Sequence, residues 1–301
     1  MGTADLIPGV SGGTIAFLSG IYEELINSIK LVTGDVVRLF IRFKFVEGIK
    51  LIPFKFLTPL AIGLFSAIFL LANLLSYLLS TYPVFVWSFF FGLVLASAFI
   101  VTKRIKKWGA LDVIGFILAS IGAYILVGAV PVETPSELLF FFLAGMIAIV
   151  AMILPGISGS FILLLLGKYQ QVLGAVTSRD FLTLIVFALG AVFGLALFSR
   201  VLSWLFEKHH DISVAILAGF MLGSIRKIWP WKEVIETRIN SHGEIVPLIE
   251  KNILPASFDI SILFAIILII VGAGIVLYLG KLDLVKEQKK DLTAKQQKVA
   301  K

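Results

Sequence analysis

Long apolar runs alternate with short charged segments along most of this chain. Runs at 57–80, 84–102, 110–130, 181–206, 212–228 and 258–280 each end at charge or proline. At roughly 20 residues per bilayer crossing, each predicts a membrane-spanning helix. Stretch 138–175 departs from the pattern, with two apolar pieces flanking Pro155-Gly156-Ile157-Ser158-Gly159. It predicts either successive crossings or a re-entrant helical hairpin that returns to its own side. Segment 30–55 alternates basic and bulky apolar residues, as in Arg38-Leu39-Phe40-Ile41-Arg42-Phe43-Lys44-Phe45. That alternation predicts an amphipathic helix lying on the membrane interface.

The interrupted stretch has a partner near the N-terminus. Leu6-Ile7-Pro8-Gly9-Val10-Ser11-Gly12-Gly13-Thr14-Ile15 matches Ile153-Leu154-Pro155-Gly156-Ile157-Ser158-Gly159-Ser160-Phe161-Ile162. An offset of 147 residues relates Pro8 to Pro155, Ser11 to Ser158, Gly20 to Gly167 and Tyr22 to Tyr169. Further on the offset is 127, relating Gly63 to Gly190, Ser76 to Ser203 and Gly92 to Gly219. The residues that make up the difference fall in 30–55. Proline removes a backbone donor and glycine loosens a helix, so each motif should break one. Broken backbone at membrane depth survives only where it is buried in protein or lines a cavity. Paired breaks in two halves of a membrane protein point to a transporter's binding site.

Charge sorts the topologies. With a hairpin at 138–175, one side receives the basic 30–55 segment, Lys103, Arg104, Lys106, Lys107, Lys208 and the Lys-rich tail. Net translocation there would put the tail and the Lys103–Lys107 cluster on opposite sides, against the positive-inside rule. The expected fold is therefore an all-α integral membrane protein with an inverted repeat. Each half is a re-entrant helical hairpin plus three transmembrane helices. Residues 1–136 form the first repeat, 137–280 the second, and 281–301 a basic, disordered cytoplasmic tail. Few residues precede Pro8, so the leading half of the first hairpin is expected to be either truncated or absent, and no cleavable signal peptide is visible.

Composition excludes other classes. The chain is 59% hydrophobic with mean hydropathy +1.03, more apolar surface than a soluble domain of 301 residues can bury. Cysteine is absent, which excludes disulfides and thiolate metal sites. The net charge of +7 lies mostly in loops and tail. It suits anionic lipid headgroups rather than nucleic acid. No pattern calls for a metal or another cofactor.

A Pro-Gly-x-Ser-Gly break offers backbone amides and a hydroxyl with no bulky side chain in the way. Two such tips facing each other would hold an anion such as phosphate without a buried lysine or arginine. Glycine and serine also simply permit close helix packing. A single copy would favour packing, whereas two matching copies favour a site.

Asp5-Leu6-Ile7-Pro8-Gly9-Val10-Ser11-Gly12-Gly13-Thr14, followed by Gly20-Ile21-Tyr22-Glu23, resembles the N-terminal signature of the bacterial polyprenyl-phosphate transporters of the PopT type, formerly domain of unknown function 368. The resemblance covers nearly the whole chain apart from the tail. It implies a multi-pass protein of the bacterial plasma membrane with a cytoplasmic C-terminus. Its substrate would be undecaprenyl phosphate, carried from the outer to the cytoplasmic leaflet for wall-polymer synthesis. Homo-oligomerisation is left open. The resemblance also implies that motif residues line the lipid-phosphate site: Asp5, Pro8, Gly9, Ser11, Gly12, Gly13, Thr14, Tyr22 and Glu23 from the first copy. Pro155, Gly156, Ser158, Gly159, Ser160 and Tyr169 are their counterparts in the second. There Ser160-Phe161 replaces Gly13-Thr14, which weakens the match.

Two alternatives stand beside this one. A transporter of a small soluble anion would use the same site. The motif is also similar to the Pro-Gly-x-Ser-Arg-Ser of membrane undecaprenyl-pyrophosphate phosphatases. That chemistry needs an arginine for transition-state charge, and Gly12 and Gly159 occupy its position, so no catalytic residue is assigned. His209, His210 and His242 fall in predicted loops. Asp5 is a candidate for proton exchange or, more commonly, for capping a helix. Arg200 lies inside a predicted span, about two turns from Glu207. It either snorkels to the interface or faces the substrate cavity.

Overall fold

The computed structural model describes residues 1–7, 10–239, 245–255 and 259–299. The chain is mostly helical. Helices α1 (Gly2–Asp5), α2 (Gly12–Leu18) and α3 (Tyr22–Leu31) come first. A π-helical turn over Val32–Val36 carries α3 into α4 (Val37–Ile41), and α5 (Phe45–Leu51) follows. Long helices α6 (Phe54–Thr81) and α7 (Pro83–Thr102) precede α8 (Ala110–Leu126). The second half runs through α9 (Leu138–Ile153), α10 (Gly159–Leu165), α11 (Tyr169–Ser178), α12 (Phe181–Lys208) and α13 (His210–Ser224). An antiparallel pair, β1 (Lys232–Ile239) and β2 (Ile245–Asn252), leads to α14 (Ile260–Val299).

Among the described residues, four helices are long and apolar enough to cross a membrane: α6, α7, α12 and the Ile260–Lys281 part of α14. The spans expected at 110–130 and 212–228 form shorter helices, α8 and α13. Glycine and proline lie just beyond α8 (Gly128, Pro131), and Pro230 lies beyond α13. Where a loop was expected after α13, β-branched residues on either side of Asn240-Ser241-His242-Gly243 form the two strands instead. The backbone of α14 stays helical through the charged segment to Val299, where composition suggested a disordered tail. Lys, Glu, Gln, Ala and Leu dominate that segment, and all are good helix formers.

The repeat is visible in the element boundaries. Helices α2 and α10 begin and end 147 residues apart, as do α3 and α11. Helices α6 and α12 begin and end 127 residues apart. The turns after α2 and α10 both hold a left-handed glycine, Gly20 (φ 71°) and Gly167 (φ 65°).

Packing follows the same scheme: α7 lies along α14, α8 along α13, α9 along α12, and short α1 along α6. Glycines let these backbones approach. A methyl group at Gly92 would strike the Ile269 carbonyl, at Gly219 that of Phe116, and at Gly190 that of Phe142. Gly63, the counterpart of Gly190, faces open space instead. A groove of about 690 Å³ runs along α6, with Phe54, Leu57, Ile62, Phe65 and Phe69 in its lining. The buried core collects Phe17, Tyr22, Ile26, Val214 and Met221 in one cluster, and Ile7, Val10, Val94 and Ile228 in another. Both clusters pack directly against the first motif.

Candidate functional site

Ser11 has extended backbone (φ −117°, ψ 137°) and caps α2, its Oγ accepting from the Gly13 amide at 3.0 Å. The same hydroxyl donates to the Met152 carbonyl at 3.2 Å. Asp5, at the end of α1, accepts from the Gly12 amide at 2.6 Å. Of the two roles expected for Asp5, this geometry is the capping one. A side chain at Gly12 would push the Asp5 carboxylate away from the Gly12 amide. A Cβ on Gly13 would stand 2.6 Å from the Ile153 carbonyl oxygen. Tyr22 is buried against Phe17 and Phe206, and its hydroxyl donates to Ile153 O at 3.2 Å. Met152 and Ile153 end α9, where helix carbonyls lack partners within their own helix. Hydroxyls of the first motif supply them. Thr14 Oγ1 is buried with no hydrogen-bond partner among the described residues. Pro8 and Gly9 lie outside the described residues.

The second motif is built alike but is more accessible. Pro155 and Gly156 are buried, and Gly156 takes φ 91° beside the Ser224 hydroxyl. Ser158 precedes α10 without a side-chain cap, and its Oγ lies 2.7 Å from Ser160 Oγ. Ser158 is half-buried and Ser160 exposed, so this hydroxyl pair can be reached. Gly159 approaches the Ala148 carbonyl, which a Cβ would meet at 2.7 Å. Tyr169 begins α11 as Tyr22 begins α3. The turns after α2 and α10 contact different parts of the chain. Leu18 O accepts from Arg104, while Leu165 O and Leu166 O accept from Val132 N and Thr134 Oγ1. Helix α8 separates these two attachment points.

The structure draws the two motifs together but leaves two sequence candidates elsewhere. Glu23 pairs with His210 Nε2 at 3.3 Å, where His210 starts α13 rather than sitting in a loop. Arg200 is exposed and donates to Ala196 O at 3.0 Å and to Thr33 O at 3.4 Å, which ties α12 to the π-helical turn. Neither hydrogen bond is to a motif residue.

Lys168 belongs to neither motif. It is buried in the second turn, donating to Pro135 O (2.6 Å) and Gln171 Oε1 (2.7 Å), with Nζ 4.4 Å from the Phe141 ring centre. Lys227, Lys232 and Glu250 also belong to neither motif. They form an ion-paired group beside the second motif. The spacing of Lys168 one residue after the conserved-offset Gly167 was the available signal for the first; strand pairing across β1 and β2 makes the second, and no local pattern announces it.

A profile described as undecaprenyl phosphate translocase-like matches residues 1–246. The chain is 42% identical over 287 residues to a polyprenyl-phosphate transporter of Vibrio cholerae, covering 93% of each chain. It is 33% identical over 248 residues to a polyprenyl-phosphate transporter of Staphylococcus aureus, covering 76% of this chain and 83% of that one. No solved structure matches.

Proposed function

This chain belongs to the undecaprenyl phosphate translocase-like family, and from that premise we propose that it moves undecaprenyl phosphate from the outer to the cytoplasmic leaflet of the bacterial plasma membrane. Its family and relatives mark it as a transporter of polyprenyl phosphate rather than an enzyme. Glycine at both phosphatase-arginine positions agrees with that.

The observation that carries the proposal is the joining of the two motifs. Ser11 and Tyr22 reach the last carbonyls of α9 across 141 and 131 residues of sequence. The first motif braces the break in the second, and the accessible Ser158–Ser160 pair takes the phosphate. Hydrogen bonds from hydroxyls to an anionic phosphate are charge-assisted and stronger than neutral ones. In this mechanism the hairpins enter from opposite leaflets as inverted repeats. Attachment of one turn to basic Arg104 and of the other to the 131–137 segment, at opposite ends of α8, supports that arrangement.

The apolar groove on α6, lined by Phe54, Leu57, Ile62, Phe65 and Phe69, favours a lipid over a soluble anion. An isoprenoid chain needs such a surface, and inorganic phosphate does not. The basic 30–55 segment exposes Ile41 and Phe43 beside Arg42 and Lys44, which suits an interface of anionic lipids. Vesicles containing the purified protein should carry undecaprenyl phosphate between leaflets while retaining entrapped inorganic phosphate. Release of entrapped phosphate without lipid movement would establish the soluble-anion alternative.

A further inference from the structure

Two lysines share one carboxylate oxygen next to the second motif. Glu250 Oε2 lies 3.2 Å from Lys227 Nζ and 3.2 Å from Lys232 Nζ. The Lys232 side chain is only 7% exposed, against 20% for Glu250 and 23% for Lys227. Lys232 Nζ sits 4.3 Å from the Trp87 ring centre, and Lys227 Nζ 5.2 Å from that of Phe161. Phe161 follows Ser160 in α10. Lys227 follows by three residues Ser224, whose hydroxyl abuts Gly156. Ile228, next to Lys227, packs in one cluster with Ile7 and Val10 of the first motif. The group therefore stands beside the second motif, and Ile228 ties its neighbourhood to the core cluster that holds Ile7 and Val10.

Among the described residues its charge is unbalanced, with two ammoniums to one carboxylate. Burial pushes Lys232 down to about 8, against the pull of Glu250. Burial alone would raise the Glu250 carboxyl, but the two ammoniums together hold it below the usual carboxylate range. A surplus cation in a half-buried aromatic setting is costly unless an anion completes it.

We propose that Lys227 and Lys232 form a capture site for the phosphate monoester of the lipid substrate, with Glu250 as the internal anion that the headgroup displaces. This rests on the transport function proposed above. The phosphate would replace Glu250 as the partner of both ammoniums before passing to Ser158 and Ser160. Lipid headgroup and free phosphate share the required chemistry, and affinity separates them.

The test measures binding of undecaprenyl phosphate to the full-length purified protein, with inorganic phosphate as competitor. Lys227→Gln and Lys232→Gln should each weaken lipid binding about tenfold or more, the effect of losing one charged hydrogen bond. Glu250→Gln should tighten it, because the competing carboxylate is gone. A purely structural ion pair would not produce that gain. Should Glu250→Gln unfold, the triple variant Lys227→Gln, Lys232→Gln, Glu250→Gln removes all the charge while leaving the polar contacts; it should fold and bind at least tenfold more weakly. Inorganic phosphate should compete only at far higher concentration than the lipid; equal competition would assign the site to a soluble anion and overturn the proposal. Wild-type-like lipid binding in the folded triple variant would also overturn it, as would a folded Glu250→Gln that binds no more tightly. If wild type itself binds no lipid, the transport function fails; if Ser158→Ala alone loses binding while the lysine variants keep it, only the capture site fails.

Discussion

The Tyr22 hydroxyl donates to the Ile153 carbonyl at 3.2 Å, linking the helix after the first motif to the helix before the second. Tyr22 is 1% exposed, so this bond is made inside the core. Together with Ser11–Met152 it makes each motif a structural condition of the other.

Tyr22→Phe tests that linkage. It preserves the ring contacts with Phe17 and Phe206 but leaves Ile153 O without the hydroxyl. An unsatisfied buried acceptor costs about 1–3 kcal/mol. Thermal unfolding in detergent should shift down accordingly, and transport should fall with it. An unchanged melting temperature would mean that the bond contributes nothing.

The matched glycines should respond differently to alanine. At Gly190 a methyl group strikes the Phe142 carbonyl, and overpacking of this kind costs about 1–3 kcal/mol. At Gly63 there is open space, and alanine should be neutral or stabilise α6 by up to about 1 kcal/mol. Melting temperatures of the two variants should therefore move in opposite directions or differ clearly. Equal losses at both positions would show that the Gly63 face is packed.

Opposed hairpins can be tested by cysteine labelling, since the chain has no native cysteine. Ser136 and Ser178 are exposed and flank the second hairpin, and Lys106 is exposed after α7. Ser136→Cys and Ser178→Cys should both react with an impermeant reagent from outside intact cells, and Lys106→Cys only after permeabilisation. Labelling of Ser136→Cys and Ser178→Cys from opposite faces would mean that the segment between them crosses the membrane.

Much of the architecture was written in local sequence. The α6 helix extends the expected 57–80 span to Phe54–Thr81, and α12 extends 181–206 to Phe181–Lys208, because apolar runs ended by charge or proline mark spans directly. Repeated proline, glycine, serine and tyrosine located both breaks. What each hydroxyl would touch was not legible. Ser11 is occupied by Met152 and Gly13, whereas Ser158 faces Ser160, and that difference depends on contacts across 141 residues. Arg200 had two plausible roles from its position in a span; only the fold brings Thr33 to it. The Lys227–Glu250–Lys232 group needed the strand pairing of Lys232 with Asn252, which sets Glu250 near Lys232.

The central claim, that paired motifs form one lipid-phosphate site, is tested most directly by leaflet exchange of undecaprenyl phosphate in vesicles reconstituted with motif variants. Ser158→Ala combined with Ser160→Ala removes the accessible hydroxyls without adding volume. Gly159→Val, between Ser158 and Ser160 in the chain, instead drives a side chain against the Ala148 carbonyl and Met152 of α9. Each lost hydrogen bond to a charged group is worth about 1.5–3 kcal/mol, so the double serine variant should insert normally and exchange lipid at least tenfold more slowly than wild type. Gly159→Val should be slower still. Wild-type exchange by both variants would contradict the account and leave the motifs as packing devices alone.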